Sequence, residues 1–129
     1  MAADFKFVDM QGKAQNLVDF RGKWVLINYW ATWCPPCQHE IPELKAMHGK
    51  DLVVIGVAVD YRSAKDVARF VQNYDIHYPV VLGTQDVTSQ IGELDVLPTS
   101  YLYNPSGVQV STQKGEVSQE MVKRYIKRH

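Results

Sequence analysis

Two unbroken apolar runs, Trp24 to Trp30 and Leu52 to Val59, constrain what this chain can fold into more than any other feature of its sequence. Both have strand length and are rich in β-branched residues. Neither alternates with polar positions, so each predicts a strand covered on both faces. The stretch between them has helical periodicity. A strand, a helix and a second strand in that order give a βαβ unit with parallel strands, and the sheet they start needs a covering layer on each side.

The flanking chain supplies those layers. Phe5, Phe7 and Val8 and then Ala14 to Leu17 flank Asp9 to Lys13, with Gly12 for the turn, and predict an N-terminal β-hairpin. Val18 to Phe20 form a single helical turn before Arg21-Gly22-Lys23. Ser63 and Asp66 make a capping box ahead of Val67, Phe70, Val71 and Tyr74, which fall at the i, i+3, i+4, i+7 spacing of a second helix. Tyr78-Pro79 open a short strand, Val80 to Leu82, and Asp86 or Thr88 starts a helical turn through Ile91. Ser100 to Tyr103 and Val108 to Lys114, joined by Asn104-Pro105-Ser106-Gly107, form a C-terminal hairpin. Ser118 caps a last helix whose buried face is Met121, Val122, Tyr125 and Ile126, with Val117 stapled to Val122. Lys123, Arg124, Lys127 and Arg128 lie toward its C-terminal end, where cations complement the helix dipole. The expected class is α/β, a central mixed β-sheet flanked by helices. With 129 residues, 46% hydrophobic and 22% charged, residues 1-129 fit a single domain around one core.

Lys plus Arg and Asp plus Glu number 14 each, so no basic face for nucleic acid is implied. No run reaches transmembrane length, and Met1-Ala2-Ala3-Asp4 shows no basic and apolar signal segment. The chain as written is expected to be soluble, and a removed signal or anchor remains compatible with it.

Both cysteines stand in Trp33-Cys34-Pro35-Pro36-Cys37, between the first strand and the first helix. Two thiols at this spacing close a small disulfide and reopen it by exchange with a partner thiol. A helix N-terminus lowers the pKa of the first, because its unpaired N–H groups favour a thiolate. Cys34 is therefore the expected nucleophile. Cys37, one turn inside the helix and less exposed, is the expected resolving thiol. A structural disulfide is the plainer reading, but so short a loop removes little chain entropy. Half a zinc site is another, yet no second C-x-x-C exists and His39, His48, His77 and His129 form no H-x-x-x-H pair. A chance pair of buried thiols is the third, against which the flanking prolines and tryptophan argue. No metal and no cofactor is expected.

On a helical wheel Cys37, Ile41, Leu44 and His48 make a core stripe, with Glu40 about 60° to one side and His39 facing solvent. Pro42 is expected to kink the helix. Asn28, the one polar residue in the first run, needs a hydrogen-bond partner if buried. If Cys34 is the N-cap, its sulfur can accept from the amides of residues 36 and 37, and Pro36 has none. One local donor then remains, which predicts a less stabilised thiolate and a reducing potential.

Trp30-Ala31-Thr32-Trp33-Cys34-Pro35-Pro36-Cys37-Gln38-His39-Glu40-Ile41-Pro42, with the order of elements over the whole chain, resembles the thioredoxin fold in its TlpA-like and ResA-like branch. The N-terminal hairpin extension and a βα insertion around residues 61 to 82 resemble that branch too. The resemblance implies a thiol:disulfide oxidoreductase that works outside the cytoplasm, often anchored or exported. It implies that Pro98, after Leu97, is a cis-proline lying against the pair and offering backbone groups to an extended partner segment. Glu40 matches an active-site acid, for which a solvated helix carboxylate is the plainer reading. Trp33 matches a ring beside the first cysteine, or an apolar shield for the disulfide. Trp33, Pro35, Pro36, Leu97 and Pro98 are thus expected to meet the substrate. Ordinary thioredoxins keep a buried acid where this chain has Asn28, so Glu40, water or the partner must handle the proton of Cys37.

The expected function is thiol-disulfide exchange with protein substrates as a monomeric reductant fed by an upstream electron-donor protein, such as in cytochrome c maturation or reductive repair of exported proteins. Two rivals fit less well. A peroxiredoxin-like thiol peroxidase needs T-x-x-C where Thr32 gives T-x-C, and a copper-binding assembly factor needs C-x-x-x-C. A thioredoxin-like adaptor with an idle pair is a further alternative.

Overall fold

The computed structural model describes residues 4–129, so the reading of the first three residues as signal-free lies outside the described residues. The two apolar runs form β3 (Trp24–Trp30) and β4 (Leu52–Ala58), joined by α1 (Pro35–Met47). They pair in parallel from Trp24 opposite Leu52 to Trp30 opposite Ala58. Around them the chain adds β1 (Lys6–Val8), β2 (Ala14–Asn16), a 3-10 turn (Leu17–Phe20), α2 (Ala64–Asn73), β5 (Val80–Leu82), α3 (Gln85–Ile91), β6 (Thr99–Tyr103), β7 (Gln109–Lys114) and α4 (Gln119–Arg128). The main sheet runs β5-β4-β3-β6-β7, with β5 parallel to β4 and both β6 and β7 antiparallel to their neighbours.

Alternation along β3 divides the core. Leu26 and Trp30 pack on one face with Cys37, Ile41, Leu44 and Met47 of α1, Val67 of α2 and Val122 of α4. Val25, Ile27 and Tyr29 pack on the other with Phe5, Phe7, Leu17 and the α3 residues Val87 and Ile91. Both faces of the sheet are thereby dry, which is why neither run alternates. The β1–β2 hairpin turns through Gly12 at φ +82°, and its tip reaches the sheet edge, where the Met10 N–H donates to the Val80 carbonyl at 2.9 Å.

Local expectations are adjusted in three places. α3 is capped by Thr84, whose hydroxyl accepts from Val87 N, rather than opened by Asp86 or Thr88. β7 begins at Gln109, because Val108 is spent on the turn, where its N–H donates to Asn104 Oδ1 at 3.0 Å. Met121 is 44% exposed instead of buried. The stripe of α4 centres on Val122, and a residue one position away lies about 100° round the helix. Pro42 lies inside α1, which continues to Met47; its ring is on the exposed side, where water can serve the carbonyl it displaces.

Candidate active site

β3 ends at Trp30, and Ala31 to Trp33 turn the chain into α1. Three bonds hold that turn: Cys34 N–H to the Ala31 carbonyl at 3.3 Å, Gln38 N–H to the Cys34 carbonyl at 3.1 Å, and Gln38 Nε2 to the Thr32 carbonyl at 2.7 Å. Cys34 is the N-cap, with extended backbone, and its sulfur accepts from Cys37 N–H at 3.3 Å. Pro35 and Pro36 occupy the first two helical positions, where a missing N–H costs no intrahelical bond. The expected count of one local donor at the sulfur therefore holds. Cys34 and Cys37 are joined as a disulfide with their Cα atoms 5.2 Å apart.

The expected contrast in exposure is absent: Cys34 is 3% exposed and Cys37 2%. What separates them is position. Cys34 lines a cleft of about 500 Å³ with Trp33, Pro35, Pro36, Leu94, Val96 and Leu97, and Cys37 faces the core between α1 and the sheet. Trp33 is 57% exposed and is held as the cleft wall by its Nε1–H, which donates to the Asp60 carbonyl at 2.9 Å. Asp60 itself has φ +47°. The Leu97–Pro98 peptide bond is cis. Leu97 lines the cleft but Pro98 does not, and the Pro98 carbonyl already accepts from Gly115 N–H at 2.8 Å. Of the backbone groups expected to serve a partner segment, that carbonyl is taken.

Glu40 is not a solvated carboxylate. It is 1% exposed, one turn after Cys37 on α1. Asn28 Nδ2 donates to its Oε1 at 2.8 Å and Val117 N–H to its Oε2 at 2.7 Å. Burial pushes this carboxyl up to about 7, the two N–H donors pull it back, and Glu116 adds a smaller upward push. Tyr78 lies within the field of Glu40, and its phenol is raised by burial first and by that charge second. Asn28 Nδ2 also donates to Ser100 Oγ at 3.0 Å. Gly56, Asn28 and Ser100 stand opposite one another on β4, β3 and β6, so the polar pair lies under α1 beside a residue with no side chain. His39 faces solvent as expected and pairs with Glu116, Nδ1 to Oε1 at 2.6 Å. Among the described residues no group of three His, Cys, Asp or Glu could hold a metal.

Sequence reasoning brought Cys34, Cys37, Glu40, Trp33, Pro35, Pro36 and Leu97 to this region and missed Ser100, Val117 and Asp60. Ser100 had a signal, since it is a second small polar residue inside a buried strand. Val117 and Asp60 act through backbone atoms, which no side-chain pattern reveals.

The sequence profile of the AhpC/TSA family matches residues 1–111. The chain belongs to this family of thioredoxin-like proteins. A curated relative, thiol-disulfide oxidoreductase ResA of Bacillus subtilis, is 35% identical over 128 residues, covering 97% of this chain and 72% of that protein. Among solved structures, a thioredoxin-family thiol:disulfide interchange protein from Chlorobium tepidum superposes with a TM-score of 0.87 at 27% identity, over 98% of this chain and 93% of that one. The exposed lipoprotein thioredoxin Etrx1 of Streptococcus pneumoniae gives 0.82 at 25% identity, over 98% and 100%. The fold of this AhpC/TSA member is thus the thioredoxin fold, preceded by its N-terminal hairpin.

Proposed function

We propose that this AhpC/TSA member is a thiol:disulfide oxidoreductase that exchanges the Cys34–Cys37 pair with protein substrates as a reductant. The observation that carries the proposal is the pair itself, capped on a helix N-terminus beside an apolar cleft, with a buried carboxyl at about 7 one turn away. In the reducing direction Cys34 thiolate attacks one sulfur of a partner disulfide, and the other partner sulfur leaves as a thiolate that takes a proton from water. The Cys37 thiol then gives its proton to Glu40 and attacks the Cys34 sulfur. The second partner thiolate leaves, two electrons have passed to the partner, and the Cys34–Cys37 disulfide is formed. An electron-donor protein restores the dithiol. Trp33, Pro35, Pro36 and Leu97 receive the partner segment, with Pro98 fixing the loop behind Leu97.

Residues 1-129 act as one monomeric domain in this proposal, with no metal, no cofactor and no nucleic acid. Similarity to ResA and to an exposed lipoprotein supports an extracytoplasmic site of action, and cytochrome c maturation or reductive repair of exported proteins supplies fitting substrates. No helix of the described residues is long and apolar enough to cross a membrane. Peroxidase chemistry is disfavoured by the T-x-C spacing at Thr32 and Cys34, and copper carriage by the absence of a third ligand among the described residues.

Trapping tests the roles. Cys37→Ser is expected to accumulate a mixed disulfide on Cys34, and Cys34→Ser none. A trap that forms only in the Cys34→Ser variant reverses the two roles, and failure of the intact pair to reduce insulin in the presence of dithiol refutes the activity.

A further inference from the structure

The oxygen atom of the Asn28 side chain is buried and meets no hydrogen-bond donor among the described residues, while the nitrogen of the same amide serves two acceptors. That asymmetry suits one protonation state of Glu40. With the carboxylate ionised, the two protons of Nδ2 go to Glu40 Oε1 at 2.8 Å and Ser100 Oγ at 3.0 Å. With Glu40 protonated, its new O–H needs an acceptor. Its other oxygen is held by Val117 N–H, which only donates. An unsatisfied hydroxyl in so dry a place is costly.

We propose that Asn28 is a positioning residue that turns its amide over when Glu40 takes up a proton. Oδ1 has two lone pairs, so after the turn it accepts from the Glu40 O–H and from the Ser100 O–H in place of the two bonds Nδ2 had donated. Ser100 reverses with it, since a hydroxyl both gives and accepts. Turned over, the amide leaves its NH₂ unpaired where Oδ1 was unpaired before, and the bond that Oδ1 then accepts from the Glu40 O–H offsets that cost. Oxygen and NH₂ are nearly equal in size, so the turned amide fills the same volume. A buried acid at this position would accept but could not donate while ionised. The amide does both.

The titratable groups around Glu40 are Cys37, one turn before it on α1, Tyr78 before β5 and Glu116 before α4, the last paired with His39. None of them donates an N–H or O–H to Asn28 Oδ1. This inference deepens the proposed role of Glu40 as acceptor of the Cys37 proton, because a proton arriving on Glu40 finds its partner ready to receive it. Its test requires no partner protein and no turnover, so it stands or falls separately from the oxidoreductase reading.

The experiment is a pH titration of the oxidised protein by NMR, following the Glu40 carboxyl carbon and the Asn28 side-chain NH₂ together. The NH₂ protons are expected to lose their contacts with Ser100 as Glu40 protonates, with one shared midpoint. In Asn28→Ala, which removes a donor from one state and an acceptor from the other, the Glu40 midpoint is expected to stay within about half a pH unit. A fixed donor would act only on the ionised form, and losing a hydrogen bond to a charge then raises the midpoint by about one to two units. NH₂ contacts with Ser100 that persist through the Glu40 titration overturn the proposal, as does a rise of a unit or more in Asn28→Ala.

Discussion

Replacing Glu40 by Gln should make the protein relatively more stable at alkaline pH than at acid pH. The carboxyl stands at about 7 in the folded chain against an ordinary 4.5, with burial as the largest cause. A group raised on folding binds its proton more tightly in the native state. Its contribution is therefore complete below 4.5, declines as pH rises through 7, and is constant above. At about 1.36 kcal/mol for each unit between the two values, the wild type loses about 3 kcal/mol relative to Glu40→Gln across that window. Gln keeps the volume and leaves an oxygen for Val117 N–H. The assay is urea unfolding of both oxidised proteins from pH 4 to pH 8.5, where the disulfide keeps the cysteines from titrating. With a urea slope of about 1.5 kcal/mol per molar, the gap between midpoints should move by about 2 M. Taking the difference between proteins cancels His48, which burial holds down and which adds its own acid-side slope. A gap that stays flat means the carboxyl is not raised. A gap that opens in the other direction means that the Val117 donor outweighs burial.

The redox potential should lie on the reducing side, below the level of about −180 mV typical of protein disulfide isomerase, because one local amide reaches Cys34 Sγ. Pro36→Ala supplies a second and should raise the potential by about 30 to 60 mV, from about 1.5 to 3 kcal/mol for a hydrogen bond to a charged group; equilibration against glutathione reads it, and an unchanged value refutes the donor count. Gly56→Ala puts a Cβ 2.9 Å from Trp30 Nε1 and 3.1 Å from Tyr78 Cε1. That crowding should cost about 1 to 3 kcal/mol in thermal or urea unfolding, and a neutral result would mean the Trp30 ring moves freely.

How much of this was legible beforehand depends on distance along the chain. The β3–α1–β4 unit was readable because strands buried on both faces cannot alternate, and Trp24 to Trp30 and Leu52 to Ala58 do not. The cysteine pair, its cap and its donor count followed from local spacing. Glu40 was readable as a neighbour of Cys37 from the wheel, but its burial was not. Its second ligand comes from residue 117 and the partner of Asn28 from residue 100, contacts that span 77 and 72 positions. Met121 was misplaced for a smaller reason, since in a short helix the edge of an apolar stripe shifts with a tilt that only the packing of Val122 against β3 determines. The expected exposure of Cys34 failed because its Sγ turns back over the first turn of α1 to meet Cys37.

The grip of Val117 on Glu40 also bears on the order in which the protein is made. A ribosome delivers Cys34 and Cys37 long before residue 117, so a growing chain carries two thiols with the nearby acid still untethered. The last quarter of the chain, which contains neither cysteine, therefore completes the polar surroundings of Glu40.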